Sequence, residues 1–544
     1  MAPAGRQGRR IERGQAVAAN SGRGENHRVD SPRLTRCLAL GAGALLAVAP
    51  ASAAAGDGLD ARISDALREA GSNRGEIESF LRRYEQDRDA QKRLASRWLV
   101  ANMSGHGYAV IRLADADGKE LAFDAKEHPN LERAKAALDA IEAEHPTASF
   151  RKVRFESDLE HASAEFLATH LDRAFEAWRT QPWAKSIKYE VFRDFILPYR
   201  GSNEPLSQWR ASAFERLAPQ RLEHAGESDV RAVGERIRST VHRWVGFSDL
   251  FYLHPTDQGY DEMNARRLGR CEDITNMIAY GMRSVATLCA TDYTPWWADR
   301  DNNHAWEVVL DAEGRGRAGL SNRCAKVYRK TFAANPCSLP MQFSAEKDAP
   351  SWLAGSHFID VTEQYMPVTD AAVILSKVPA RARVAYLAVF NGGQWRPIQW
   401  GRIEGARVVF PKMGCDICYL PMARVDGRDV PAGAPFIIER DGRTRTLAGA
   451  SMHLEALRAA ATRPDTPDAD TRVLIAATPV KPTSGYELFR WADGGWKSEG
   501  RMEAGAPERI FERLPDDAIY WLVEDGSERL ERIFTIEAGR QVFW

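Results

Sequence analysis

Two segments decide how this sequence is interpreted: Gly-Arg-Cys-Glu-Asp-Ile-Thr-Asn-Met at 269–277 and Asp-Asn-Asn-His-Ala-Trp-Glu-Val-Val at 301–309. Glu272 and Asp273 favour the first turn of a helix, so the first segment predicts a helix that begins at Cys271. The second segment predicts a strand that begins at His304. A helix N-terminus and a histidine in contact both activate a thiol, so a Cys271–His304 pair would suit nucleophilic catalysis. Spacing alone also fits two buried structural residues, because cysteine and histidine are both often found in protein interiors.

The composition is that of an ordinary soluble globular protein with several domains. The chain has 544 residues, of which 44% are hydrophobic and 27% are charged, and its formal net charge is -1. A chain of this length is expected to divide into units with separate cores. The balanced charge indicates no basic surface, and we therefore expect no nucleic-acid partner.

Residues 1–55 have the layout of a signal peptide with a basic extension. Two arginines, Arg33 and Arg36, precede an apolar run at 37–49, which small residues follow up to Ala53. This layout predicts export to the periplasm or the extracellular space, with cleavage after Ala53 or Ala55. The apolar run is too short to span a membrane, so we expect no stable membrane insertion after cleavage.

The residue pattern of the remaining chain changes at three points, which divide it into four predicted domains. It predicts an α+β protein with a mostly helical N-terminal domain at 56–210, a core at 211–345, a β-sandwich domain at 346–440 and a C-terminal β domain at 441–544. The first domain includes a predicted hairpin at 108–123. The two β segments share a weak echo, Phe-Asn-Gly-Gly-Gln-Trp at 390–395 and Trp-Ala-Asp-Gly-Gly-Trp at 491–496, which suggests a duplicated hairpin.

The Gly-Arg-Cys-Glu-Asp segment, the Asn-Asn-His-Ala-Trp segment and the Trp-Trp-Ala at 296–298 together resemble the core of the transglutaminase-like superfamily. The flanking segments 196–200 and 203–205 are similar to those of its exported, multidomain bacterial members. The resemblance implies a papain/transglutaminase-like cysteine-enzyme core. It also implies that Cys271 is the nucleophile and that His304 is its proton acceptor.

The sequence departs from the family at the third member of the triad, which is an acid on the strand paired with the histidine strand. A hairpin folded about residues 311–316 would set His304 opposite residues 321–323, where Asn322 is the plausible partner. An amide can hold the imidazole in one tautomer but brings no charge. Asp360, in an Asp-Val-Thr context, is the alternative. We favour Asn322, because Asp360 is far along the chain and is expected to open the next domain.

The predicted oxyanion hole uses the backbone N–H of Cys271 and one further donor, either the indole of Trp244 or the amide of Gln258. Both residues also fit a packing role. The polar run at 299–303 lacks the glycine and the glutamate of an EF-hand, so no metal site is predicted, and nothing indicates a cofactor.

The other cysteines and the aromatic residues of the β segments carry weaker signals. Cys415 and Cys418 fit buried thiols or a disulfide, and Cys324 and Cys337 could close a short loop. The aromatic residues could present sugar-stacking faces, but core packing is the more common role. These residues are Trp395, Trp400, Trp491, Trp496 and Trp544.

The sequence therefore predicts a cysteine-dependent peptidase, amidase or acyltransferase that acts on a peptide or protein amide, for example a cell-envelope peptide. The missing acid keeps a second interpretation open. In that interpretation the core has lost catalysis, and the protein binds a glycan or a peptide.

Overall fold

The computed structural model describes residues 54–320, 323–343, 349–380, 382–464, 477–506 and 510–544. Residues 1–53 of the predicted signal peptide and Asn322 lie outside these residues. The described chain combines helices in its first half with antiparallel sheets in its second half, so the α+β class is confirmed.

The N-terminal region is mostly helical, as the periodicity predicts. Its helices are α1 (Ala54–Glu69), α2 (Arg74–Glu85), α3 (Ala90–Ala101), α4 (Leu131–Glu144), α5 (Asp158–His161), α6 (Ala164–Thr180), α7 (Tyr189–Phe195), α8 (Trp209–Arg216) and α9 (Ala218–Glu223). It also holds two antiparallel strands, β1 (Gly107–Ala114) and β2 (Ser149–Ser157).

The predicted hairpin at 108–123 is wrong in its second strand. β1 pairs with β2, and only the bridge Ala114–Glu120 follows the predicted turn. Leu121 and Phe123 instead pack on a small apolar cluster around Leu113. The segment that forms β2 is charged and none of its residues is buried, so it lacks the alternation of buried and exposed residues that predicts a strand.

One helix packed against a four-stranded sheet forms the centre of the protein. The elements here are α10 (Val230–His242), β3 (Gly246–Phe247), α11 (Tyr260–Arg266), β4 (Leu268–Gly269), α12 (Cys271–Ser284), β5 (Cys289–Thr294), β6 (His304–Val309), β7 (Tyr328–Lys330), α13 (Leu339–Gln342) and β8 (Phe358–Asp360). The sheet order is β6-β5-β7-β8. Every residue of α12 from Asp273 to Ser284 is buried, so this helix is central and has no solvent face. Gly281 lets it approach α10, because a Cβ there would lie 2.5 Å from a methyl group of Val241.

The second half of the chain is rich in antiparallel sheet. An eight-stranded sheet contains β9 (Val368–Ile374), β10 (Val384–Asn391), β11 (Gln394–Glu404), β12 (Arg407–Gly414), β13 (Ile417–Val425), β14 (Arg428–Pro431), β15 (Phe436–Ile438) and β16 (Thr444–Thr446). The later strands are β17 (Leu454–Arg458), β18 (Ala461–Pro464), β19 (Ala477–Pro479), β20 (Tyr486–Ala492), β21 (Gly495–Met502), β22 (Ile510–Pro515), β23 (Tyr520–Glu524), β24 (Ile533–Glu537) and β25 (Arg540–Phe543). Five of them form the sheet β21-β20-β23-β24-β25.

The sequence echo corresponds to two hairpins with matching register. Phe390 pairs with Trp395 in the β10–β11 hairpin, and Trp491 pairs with Trp496 in the β20–β21 hairpin. The two hairpins pack together through these rings, with centroids 5.7 Å apart for Trp395 and Trp491 and 5.8 Å apart for Phe390 and Trp496. These four aromatic residues therefore pack the two sheets together, which is the core-packing role and not a sugar-stacking face.

None of the helices in the described part of the chain has both the length and the apolar character needed to cross a membrane.

Candidate functional site

Cys271 is the first residue of α12, as predicted. The helix start is fixed by Asp273, whose carboxylate accepts hydrogen bonds from the backbone N–H groups of Arg270 (3.0 Å) and Gln258 (2.8 Å). These bonds tie the loop before the helix to its first turn. The thiol is half-buried at the positive end of the helix dipole.

The sulfur of Cys271 has two close neighbours. It donates a hydrogen bond to Glu272 Oε2 at 3.1 Å. The backbone N–H of Ala305 lies near enough to the sulfur to lower the pKa of the thiol, and Ala305 directly follows His304. The sulfur therefore lies one peptide unit from the residue with which it was predicted to pair.

The predicted lowering of the Cys271 pKa is wrong for this resting arrangement. Removal of the thiol from water raises its pKa well above the ordinary value, and the charge and hydrogen bond of Glu272 raise it further. The Ala305 N–H and the Arg270 charge act in the opposite direction but are outweighed. The resting sulfur is thus a neutral thiol that donates to Glu272.

His304 begins β6, which is an edge strand of the central sheet. Its partner strand differs from the predicted one. β6 pairs with β5, so that His304 lies opposite Thr294, whereas β7 pairs with the other edge of β5. β5 was missed because six residues without alternating polarity resemble a connection after a helix.

Two indole rings pack on the imidazole of His304. The Trp297 ring lies 5.9 Å from it at 23°, and the Trp306 ring lies 5.5 Å from it at 28°, measured between centroids and ring planes. Trp306 is held in turn, since its Nε1 donates to the hydroxyl of Tyr365 at 3.1 Å, which donates to Asp292 at 2.6 Å. The histidine therefore rests on an anchored aromatic surface.

Asp292 is a buried carboxylate on the histidine side of the sheet, because it lies two residues before the partner of His304. Arg329 forms a bidentate ion pair with it at 2.8 and 2.9 Å. With Tyr365 also bound, Asp292 anchors Trp306 and is not free to bind the imidazole.

The structure separates the alternative third member, Asp360, from His304. Asp360 is on β8, and β7 and β5 lie between it and β6. Its carboxylate accepts from Lys326 Nζ at 2.6 Å and from Thr362 Oγ1 at 2.6 Å. Lys326 is completely buried, so Asp360 serves as its counter-charge.

Asn322 itself falls outside the described residues, but its neighbour Arg323 lies beside the loop that precedes His304. The Arg323 N–H donates to Asp299 at 2.9 Å, and its carbonyl accepts from Ala298 at 3.0 Å. Arg323 is thus held against the loop that precedes His304.

The structure gives the side-chain amide of Gln258 other partners and covers the Trp244 ring. The side-chain amide of Gln258 donates to the Leu268 carbonyl at 3.0 Å and to Asp273 at 3.1 Å, which commits it to the helix start. The Trp244 ring is covered by the Arg216 guanidinium 4.0 Å from its centre. A role for the Trp244 indole stays a prediction.

Tyr252 is a site residue that the sequence did not reveal. It belongs to the turn Asp249–Leu253, which follows β3, the strand that pairs with β4 just before Cys271. Burial raises its pKa to about 12, and the neighbouring Cys271 and Glu272 add to the effect, so its hydroxyl stays protonated at neutral pH.

A cleft of about 170 Å³ extends across the central sheet near the cysteine. Glu272 and Ala305, the two contacts of the sulfur, line one end. The lining then follows the order of the strands through Tyr293 on β5 and Lys330 on β7 to Phe358 on β8. A substrate could therefore lie across the sheet beside two neighbours of the sulfur, although Cys271 itself does not line the cleft.

The cleft wall carries alternating charges. Arg270 pairs with Asp257 at 2.7 Å and lies 3.6 Å from Glu272. Lys330 donates to the hydroxyl of Ser202 at 2.6 Å. Although burial opposes it, the charges of Arg270 and Lys330 lower the pKa of Asp257. The charges on the wall are thus close to balanced.

The cysteines other than Cys271 form no disulfide among the described residues. Cys289, Cys324 and Cys418 are buried, Cys415 is half-buried and Cys337 is exposed. The proposed Cys324–Cys337 and Cys415–Cys418 bonds are therefore absent from this structure. Within the described ranges no group of three or more histidine, cysteine or acidic side chains could hold a metal ion.

Comparison of the chain with protein-family models gave no match, and a search of curated proteins likewise found none. The resemblance to the transglutaminase-like superfamily therefore rests on the motifs and stays a prediction.

Proposed function

We propose that this protein is an exported, transglutaminase-like cysteine enzyme that cleaves or transfers the acyl group of an amide through a thioester on Cys271. One observation carries the proposal. The sulfur lies at the start of α12 near the backbone N–H of the residue after His304, and its neighbours Glu272 and Ala305 line a cleft.

The chemistry would proceed in two balanced steps. Sγ of Cys271 attacks the amide carbonyl carbon while His304 takes the thiol proton, and the C–N bond then breaks as His304 protonates the leaving amine. Water next attacks the thioester, gives a proton to His304 and releases a carboxylic acid with the regenerated thiol. An amine in place of water would give transamidation, but hydrolysis is favoured because water is in excess.

The surroundings of His304 support this role even without the acid of the family. An imidazolium forms during both steps, and the faces of Trp297 and Trp306 offer it cation–π stabilisation. Asn322 would orient the ring, as the sequence predicts. The neutral resting thiol of Cys271 suits a mechanism in which His304 acts as general base during the attack rather than through a preformed ion pair.

The cleft supports a peptide or protein amide as substrate. Besides opposite charges on its wall, it offers Asn303, whose Oδ1 is buried and accepts no hydrogen bond from the described residues. This oxygen can accept an N–H from an extended peptide lying beside β6. A peptide of the cell envelope is the proposed source, because export would bring the enzyme there.

The raised pKa of Cys271 favours a second candidate, a binding protein for a peptide or glycan that has lost catalysis. Turnover separates the two. The wild-type protein would be incubated with a synthetic peptide library and with a cell-envelope peptide digest, and new amines and acids would be identified by mass spectrometry. Cys271→Ala and His304→Ala test the pair, and Cys337→Ser is the control for an exposed thiol outside the cleft.

The enzyme proposal expects products from the wild type and from Cys337→Ser, but none from Cys271→Ala or His304→Ala. Equal products from Cys271→Ala would end it. Peptide binding without turnover in every variant would establish the second candidate. Adding glycine amide to the same reactions distinguishes hydrolysis from transfer, since an acceptor amine appears in the product only in the second case.

Export is a separate part of the proposal and rests on residues 1–55 of the sequence. The N-terminus of the protein recovered from cells should be Ala54 or Gly56. A recovered chain that begins before Arg33 would contradict export.

A further inference from the structure

We infer that Asn391, at the tip of the β10–β11 hairpin, is a positioning residue for His304. The inference rests on the proposed function, because it assigns a role in holding the general base. Asn391 is about ninety residues away from the site in sequence, and nothing in the motif around His304 points to it. The argument comes from the contacts between the hairpin tip and the loop that leads into β6.

The side chain of Asn391 is buried and binds this loop from both ends of its amide. Nδ2 lies within hydrogen-bonding distance of the carbonyls of Trp297 (3.0 Å), Arg300 (2.9 Å) and Asn302 (2.9 Å). Oδ1 accepts from the Asn302 N–H at 3.2 Å. One side chain therefore gathers three backbone carbonyls of the loop, of which that of Asn302 also accepts from the Trp297 N–H at 3.1 Å.

Neighbouring contacts strengthen the same attachment. The N–H of Gly392 donates to Asp301 at 2.7 Å. From the five-stranded sheet, the guanidinium of Arg532 donates to the carbonyls of Ala298 at 2.5 Å and Phe390 at 2.7 Å. The loop is thus held at several points by the second half of the chain.

The attached loop ends at His304 and also supplies its aromatic support. Trp297, whose carbonyl binds Asn391, packs on the imidazole. Asn302 adopts a left-handed conformation with φ of 74°, two residues before His304. Releasing Asn391 from the loop would free both the backbone on which His304 depends and the ring against which it lies.

The second hairpin provides an internal comparison. The β20–β21 hairpin has the same pairing near its tip, but alanine, Ala492, occupies the position equivalent to Asn391. An alanine is therefore compatible with this kind of hairpin. Asn391→Ala should remove the attachment to the loop without preventing the hairpin from forming.

The full-length protein would be compared with Asn391→Ala, Asn391→Asp, His304→Ala and the control Gln394→Ala. Gln394 is the exposed cross-strand partner of Asn391, so its truncation alters the tip but not the loop contacts. Two readouts are needed. Hydrogen exchange of peptides covering 295–306 reports the loop, and the pH profile of Cys271 alkylation by iodoacetamide, resolved by mass spectrometry, reports the histidine.

We expect faster hydrogen exchange of the peptides covering 295–306 in both Asn391 variants, and unchanged exchange in Gln394→Ala. The rate of Cys271 alkylation at neutral pH should fall in Asn391→Ala in the same direction as in His304→Ala, by roughly tenfold, because a displaced His304 takes the thiol proton less efficiently during the attack. Asn391→Asp should be at least as impaired, because a carboxylate has no N–H to give to the three carbonyls.

An Asn391→Ala profile equal to that of the wild type, beside a shifted His304→Ala profile, would overturn the inference. Unchanged exchange in the loop would overturn it as well. A His304→Ala profile equal to the wild type would instead refute the Cys271–His304 pair of the proposed function, and the exchange data would still decide whether Asn391 holds the loop.

Discussion

Replacing Glu272 by glutamine should make the Cys271 thiol more acidic. Glu272 accepts the thiol hydrogen bond at 3.1 Å and places a negative charge beside the sulfur. Its charge opposes the thiolate, whereas glutamine keeps the size and one hydrogen-bonding oxygen. The substitution therefore removes the charge with little change in packing.

The size of the effect follows from Coulomb's law. Two unit charges at the 3.1 Å separation repel by about 5 kcal/mol at an effective dielectric constant of roughly 20. Arg270 lies 3.6 Å from the same carboxylate and offsets part of this repulsion, although it also serves Asp257. We therefore expect the pKa of Cys271 to fall by about one to two units, equivalent to roughly 1.4–2.7 kcal/mol.

The assay is the rate of iodoacetamide alkylation at Cys271 between pH 6 and 10, resolved by mass spectrometry because the chain has six other cysteines, five of them beyond the predicted signal peptide. The wild-type thiol should titrate above its ordinary value, since burial and Glu272 both raise its pKa. Alkylation at neutral pH should thus be slow in the wild type and about tenfold or more faster in Glu272→Gln.

Glu307→Gln is a matched control. Glu307 lies on β6 two residues beyond Ala305, but its carboxylate pairs with Arg238 at 2.6 Å rather than facing the sulfur. Its substitution should leave the alkylation profile unchanged. An unchanged or higher pKa in Glu272→Gln, or the same fall in Glu307→Gln, would refute the reasoning.

Three further predictions concern other residues of the site and its supports. Asp360→Asn should lower the free energy of unfolding by about 3 kcal/mol, because it leaves Lys326 buried without a counter-charge. Urea unfolding measures this loss. A loss of turnover as large as that of His304→Ala would instead indicate that Asp360 is the third member of the triad. Tyr252→Phe should lower kcat by about a hundredfold if the hydroxyl supplies the second oxyanion contact, and an unchanged kcat on the peptides found by the turnover assay would exclude that role. Native alkylation should modify Cys337 first, since it is exposed, and modification of the buried cysteines before unfolding would contradict the structure.

Local signals in the sequence were enough to predict that a helix begins at Cys271 and a strand at His304. Acidic residues after Cys271 and an apolar helical face predict where α12 begins, and the His304 segment reads as a strand on its own. These features depend on neighbours in sequence, and the structure places the sulfur beside the strand that His304 begins.

The partners of these groups could not be predicted, because they come from distant parts of the chain. The hairpin prediction paired β6 with the next apolar segment, whereas β5, which precedes it, occupies that place. The pKa direction of Cys271 depends on how far it is removed from water and on the rotamer of Glu272, neither of which has a sequence pattern. In the sequence Asn391 has the pattern of an ordinary turn residue, and its contacts with the loop before His304 are visible only in the structure.

The contacts that hold the loop before His304 also determine the order in which the parts of the site form during folding. The contacts that hold the loop join residues 91 positions apart through Asn391 and 234 positions apart through Arg532. Closing such long stretches of chain costs entropy, and contacts of this range form late in folding. A partly folded chain can therefore complete the cysteine helix while the histidine still lacks its support, and such a chain would be catalytically silent until the second half has docked.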